Sequence, residues 1–120
     1  MNLFIGTDIE EIERFAKIIN LRKKVLKRFF FQKEINYVFK KGKSLQSLAG
    51  IWCAKEAVVK AFGQLRSISI TDVEVLCAKN SAPKVTVRSD SVKGLKFVVE
   101  ISISHTKEWA TATAILVILE

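Results

Sequence analysis

The chain has 120 residues, a formal net charge of +8, 49% hydrophobic residues, one proline and two cysteines. That balance excludes a disordered chain and a disulfide-stapled miniprotein, and it predicts one domain over residues 1–120 with a real core. Cys53 and Cys77 lie in apolar segments with no CxxC pair, and His105 is the sole histidine, so neither a zinc site nor a disulfide framework is expected and the thiols read as reduced core residues of a cytoplasmic protein.

Met1 to Ile5 lacks the basic start and apolar length of a signal peptide, and the apolar run Ala110 to Leu119 is too short to span a bilayer, so no membrane role is expected. The charge is unevenly distributed. Lys17 to Lys43 holds ten basic residues against one acid, Glu34, an excess of +9, while the ten basic and eleven acidic residues elsewhere leave −1. Such a segment points to an acidic partner, a protein, a nucleic acid or anionic lipid, although basic runs also occur on ordinary solvated surfaces.

In chain order, Leu3 to Thr7 reads as a buried strand. Asp8 then opens a helix in which Ile9, Ile12, Ala16 and Ile19 share a face, with Asp8 as N-cap and Glu11 at N3 of a capping box. Arg14 and Ile18 are four apart on the outward face, a possible docking point for a partner helix. Leu21 to Phe31 mixes Lys and Arg with Val25, Leu26 and three phenylalanines and reads as one or two short helical turns. Glu34 to Phe39 is a further helix, ending near Gly42.

The stretch Leu48 to Phe62 is a helix that Ser44 or Ser47 can cap and that closes near Gly63. On a helical wheel Leu48, Ile51, Trp52, Val58, Val59 and Phe62 face one way, and Ala49, Gly50, Cys53, Ala57 and Ala61 the other, so neither side is a solvent face. Its three charges, Lys55, Glu56 and Lys60, therefore need partners. Glu56 and Lys60 are spaced for an i, i+4 ion pair. Lys55 falls inside the apolar arc and either snorkels to a rim or meets a partner not evident in the sequence.

Ile70 to Cys77 and Val85 to Arg88 are strands joined by a turn from Lys79 to Pro83, and Ser89 to Lys96 contains a short helix or none. Phe97 to His105 and Trp109 to Leu119 form a hairpin, with Ala110, Ala112 and Ala114 leaving room for a closely packed helix. Helices come early and strands late, so the fold class is α+β: an antiparallel sheet packed on one long central helix, with shorter helices toward the N-terminus.

Two carboxylates, a lysine and an imidazole at element ends or on a buried helix (Asp8, Glu56, Lys60, His105) suit a magnesium pyrophosphate site, with hard oxygens for the metal and a cation for phosphate. Singly, each has an equally good structural role. Three blocks add to this: Ile5-Gly6-Thr7-Asp8-Ile9 followed by Arg14; Trp52-Cys53-Ala54-Lys55-Glu56-Ala57 with Lys60 and Ala61; and Ile103-Ser104-His105-Thr106 with Ala110. In order and spacing, over nearly the whole chain, they closely resemble the small trimeric holo-acyl-carrier-protein synthases, a class of phosphopantetheinyl transferases.

The resemblance implies transfer of 4'-phosphopantetheine from coenzyme A to a serine of apo acyl carrier protein, in fatty acid biosynthesis. It also implies magnesium held by Asp8 and Glu56, which with Lys60 form the catalytic set, and coenzyme A contacts from Lys60, Gly63 and His105. Carrier docking falls on Arg14 and Ile18, extended by Arg22, Lys24 and Arg28, and the assembly implied is a homotrimer with sites between subunits. Four positions depart from the usual pattern: Ile51 for an arginine, Gln64-Leu65-Arg66 for a glycine-rich turn, Ser81 for the glycine of an Asn-Gly-x-Pro turn, and Phe31 for a threonine. The alternative is a basic, non-enzymatic nucleic-acid-binding module, in which aromatics among the Lys and Arg residues stack on bases. No RNP, KH or zinc-finger signature accompanies it, and no nucleic-acid partner is expected.

Overall fold

A computed structural model describes residues 1–20, 23–42, 44–78 and 80–119. The first strand, β1, runs Asn2–Glu11, well past the expected end at Thr7. Asp8 is therefore neither an N-cap nor part of a capping box, and Ile9 faces outward at 62% exposure instead of lying on a helix face. The reason is long-range pairing: β1 matches the last strand, β5 (Trp109–Ile118), antiparallel from Asn2 opposite Ile118 to Glu11 opposite Trp109. A ladder of that length outweighs a local capping signal, and the period of two places Leu3, Ile5 and Ile9 on one face and Gly6, Asp8 and Glu10 on the other.

Helical structure begins only at a 3-10 turn over Ile12–Arg14, followed by the short helix α1 (Phe15–Ile19), with Ile12, Phe15 and Ile19 buried. Ile18 is half-buried against the core, not fully outward as its spacing from Arg14 suggested. The basic stretch forms one short helix, α2 (Lys23–Leu26), and α3 spans Gln32–Lys40, stopping before Gly42 at φ 73°.

The central helix, α4, spans Leu45–Phe62, three residues earlier than its apolar run, because Ser44 caps it: the Ser47 N–H donates to Ser44 Oγ at 3.1 Å. It lies across the sheet of order β1-β5-β4, where β4 is Phe97–His105. Small residues permit the close approach. Ala110, Ala112 and Ala114 are fully buried beneath the helix, and a Cβ added at Gly6 would run into the Ala57 carbonyl and stand 2.6 Å from the Ala61 nitrogen. A 3-10 turn at Ile70–Asp72 shortens the strand expected over Ile70 to Cys77 to β2 (Val73–Leu76), which pairs with β3 (Lys84–Val87) in a separate two-stranded sheet. Asp90–Val92 forms a single 3-10 turn. The α+β arrangement stands, and among the described residues no helix is long and apolar enough to cross a membrane.

Candidate active site

The extension of β1 sets the site. Asp8 sits in mid-strand opposite Ala112, facing α4, and its side chain is only 9% exposed. Lys60, in the last turn of α4, reaches down to it: Nζ donates to Asp8 Oδ1 at 3.1 Å and to the Thr7 carbonyl at 3.0 Å. The i, i+4 pair between Glu56 and Lys60 does not form, because Asp8 takes the lysine. Glu56 stands one turn earlier on α4, half-buried, and burial followed by the nearby Asp8 charge raises its pKa above the ordinary carboxylate value, with Lys60 opposing. Burial does the same for Glu10, again reinforced by Asp8, and Glu10 accepts a hydrogen bond from Arg14 Nη1 at 3.0 Å.

Asp8 Oδ2 is buried without a hydrogen-bond partner. A buried carboxylate oxygen in that position carries an unrelieved desolvation cost, which a cation or an incoming donor would offset. Asp8 and Glu56 supply hard oxygens suited to magnesium. Among the described residues no three His, Cys, Asp or Glu side chains converge on one point, so the chain alone offers an incomplete shell. Magnesium characteristically accepts that situation, taking one or two carboxylates and completing its shell with phosphate oxygens and water.

His105 is not part of this group. It ends β4 and lines a cavity of about 360 Å³ with Ser47, Gly50 and Ile51, from the first half of α4, and with Tyr37 and Pro83. Gly63 stands at the far end of α4, three residues beyond Lys60, where its N–H donates to the Lys60 carbonyl. One chain thus places Asp8, Glu56, Lys60 and Gly63 along the second half of the helix and His105 beside its first half.

Of the docking set, Arg14, Lys24 and Arg28 are exposed, Ile18 is half-buried, and Arg22 lies outside the described residues. The aromatic residues of this segment mostly serve the core. Phe30 is buried, Phe29 and Phe30 pack around Trp52 with ring centroids 6.0 Å away, and the Phe31 ring lies under Lys55 and Arg88.

Sequence reasoning missed two residues. Glu10 drew no notice because a helix starting at Asp8 separates it from that residue; on a strand the two share a face. Glu34 is the partner of Lys55: Nζ stands 2.7 Å from Glu34 Oε1 and donates to the Val73 carbonyl at 2.6 Å, with both side chains fully buried. Glu34 also accepts from the Phe31 and Val75 N–H groups, each at 2.7 Å, and so caps α3 where Phe31 has no oxygen to offer. The available signal was that Glu34 is the single acid in the basic segment.

Two carboxylates and a lysine gathered where a long helix crosses a small antiparallel sheet are what fold and geometry define. The chain belongs to the 4'-phosphopantetheinyl transferase superfamily, whose family model matches residues 4–114. It is 39% identical over 122 residues to the holo-acyl-carrier-protein synthase of Fusobacterium nucleatum, covering 97% of this chain and 99% of that protein. The synthase of Thermoanaerobacter sp. (strain X514) is 37% identical over 123 residues, covering 98% of this chain and 88% of the relative. Among solved structures, the Helicobacter pylori holo-acyl-carrier-protein synthase in complex with coenzyme A aligns with a TM-score of 0.75 at 29% identity, over 96% of this chain and 99% of that one. The nucleic-acid-binding alternative finds no support in these relatives or in the packing of the phenylalanine rings.

Proposed function

We propose that this chain is a single-domain phosphopantetheinyl transferase that moves 4'-phosphopantetheine from coenzyme A to a serine of apo acyl carrier protein, releasing adenosine 3',5'-bisphosphate. The observation that carries the reading is the buried Asp8 with an unpartnered Oδ2, beside Glu56 and Lys60, in a chain 39% identical to a synthase of that activity.

In this reading Asp8 and Glu56 hold magnesium, which supplies charge neutralisation for the pyrophosphate of coenzyme A. Lys60, held by Asp8 and the Thr7 carbonyl, contacts the phosphates. The serine oxygen forms the new bond to the phosphopantetheine phosphorus as the pyrophosphate bridge breaks, and the leaving phosphate departs as adenosine 3',5'-bisphosphate. Glu56 accepts the serine proton. The cavity beside His105 receives the nucleotide, and Gly63 lets the phosphates approach the end of α4. Arg14, Lys24 and Arg28, with Ile18 and Arg22, form the docking surface for the acidic carrier.

Two features support a homotrimer with sites shared between subunits. His105 lines a cavity beside the first half of α4 while Asp8 and Lys60 meet at its last turns, and a second copy would bring such halves together. The sheet face turned away from α4 also exposes Leu3 at 64%, Ile5 at 67% and Ile115 at 43%, an apolar patch suited to burial against its own copies. Work in the cytoplasm for fatty acid biosynthesis completes the proposal.

The test is release of adenosine 3',5'-bisphosphate by the purified chain from coenzyme A, magnesium and apo carrier. Chelation, Asp8→Asn and Glu56→Gln should each lower the rate by about a thousandfold or more while the circular dichroism spectrum is unchanged. Near-normal rates in both variants would remove these residues from the site, and no release with several carriers would end the proposal.

A further inference from the structure

Glu10 has no role in the reading above, yet it pairs with Arg14 of the docking set and shares a strand face with Asp8. It follows Asp8 by two residues on β1, so both side chains lie on the face covered by α4, opposite the fully buried Ala110 and Ala112. The Glu10 side chain is 15% exposed and its Oε1 accepts from Arg14 Nη1 at 3.0 Å, while the Arg14 side chain is 69% exposed. Glu10 lies on a strand and Arg14 ends a 3-10 turn, so this is not a pair along one helix.

Three carboxylates, Asp8, Glu10 and Glu56, thus act on one another, offset by two cations, Lys60 on Asp8 and Arg14 on Glu10. The cations differ in how firmly they are held. Lys60 is also tied to the Thr7 carbonyl, whereas among the described residues Arg14 makes its one ion pair with Glu10 and is otherwise open to solvent. An exposed arginine of this kind is worth little to the fold and exchanges partners readily. The Asp8 side chain is 9% exposed, and its unpartnered Oδ2 marks the place where added negative charge would be answered by a cation.

We infer that the Arg14–Glu10 pair is an exchangeable contact linking docking of an acidic partner to binding of a divalent cation at Asp8 and Glu56, an inference that rests on the reading above. When Arg14 turns to a carboxylate of the partner, Glu10 loses its counter-charge while facing Asp8 and Glu56. The site becomes one charge more negative, and a divalent cation relieves it. Linkage makes the effect reciprocal: the bound cation draws on Glu10 and frees Arg14 for the partner. Glu10 is a positioning residue here, acting through the charge of its neighbours.

The experiment measures Mn2+ binding to the full chain without coenzyme A, from the electron paramagnetic resonance signal of free Mn2+. Arg14→Ala should tighten binding about fivefold or more, and Glu10→Gln should weaken it by a similar factor. With Glu10→Gln already present, Arg14→Ala should change the affinity by less than about twofold. A saturating acyl carrier protein whose acceptor serine is alanine should tighten Mn2+ binding to the unmodified chain and not to Glu10→Gln. Equal effects of Arg14→Ala with and without Glu10 would overturn the inference, since Arg14 would then act only through its general field. If Glu10→Gln does not fold, Arg14→Ala and the carrier decide on their own: no tightening from either overturns it. Mn2+ binding lost in Asp8→Asn and Glu56→Gln but indifferent to Glu10 overturns this inference alone, whereas no binding by the unmodified chain overturns the metal site with it.

Discussion

Replacing Lys55 by methionine tests how the site helix is held. The substitution keeps an unbranched apolar stem of similar reach but removes the ammonium that stands 2.7 Å from Glu34, where both side chains are fully buried. Glu34 would keep its two N–H donors from Phe31 and Val75 but lose the Lys55 cation, while the Val73 carbonyl would lose its 2.6 Å donor. Breaking a buried pair from one side costs about 3–5 kcal/mol, and a domain of this size should melt roughly 12–20 °C lower. Burial already raises the Glu34 pKa and lowers that of Lys55, each toward its neutral form, with the pair's mutual attraction opposing. A carboxyl raised in the folded state contributes stability that is full at low pH and fades as pH rises through its folded value. The loss in Lys55→Met should therefore be largest near neutral pH and shrink toward pH 5, as Glu34 takes up a proton. Adding Glu34→Gln should recover part of it, because a neutral amide needs no cation. Denaturant titrations at fixed protein concentration from pH 5 to 8 decide the matter. A loss below about 1 kcal/mol, or one that grows as pH falls, would refute the reasoning.

Gly6→Ala should reduce stability by several kcal/mol and lower activity, because its Cβ meets the backbone of Ala57 and Ala61 rather than a movable side chain; an unchanged melting temperature would contradict this packing. If the proposed trimer forms through the apolar sheet face, Ile5→Glu should yield monomers in sedimentation velocity with the fold of each subunit retained, since Ile5 is 67% exposed there. Lys24→Ala and Arg28→Ala together should raise the KM for carrier several-fold with little change in kcat, and the difference should fade with added salt. Cys53, whose thiol burial and the nearby Asp8 push up to about 12, should resist alkylation in the native chain, as measured by intact mass.

Much of the architecture could be read in the sequence because it depends on local signals. The alternation from Phe97 to His105, the alanine row at 110, 112 and 114, and the apolar run ending at Phe62 each specify one element, and the structure has them there. The errors came where distant contacts decide. Asp8 followed by Glu11 satisfies a local capping rule, yet pairing with β5 over ten residues keeps the chain extended through Glu11. That correction strengthens the site, since a strand aims Asp8 at α4 and brings Glu10 onto the same face. Lys55 could not be given its partner from spacing on one helix, because Glu34 lies on another helix and is oriented by Val75 of a strand. Likewise the ion pair suggested by Glu56 and Lys60 was the locally available one, and a buried carboxylate from β1 competes better for the lysine. The separation of His105 from that group depends on the path of α4 across the sheet, which periodicity does not encode.

The central claim is tested most directly by the intact mass of the carrier. Incubated with the purified chain, coenzyme A and magnesium, an apo acyl carrier protein should gain the mass of one phosphopantetheine, on its acceptor serine, and a carrier with alanine at that serine should gain nothing. A carrier that stays at its apo mass under these conditions, while an established synthase converts the same preparation, would contradict the account.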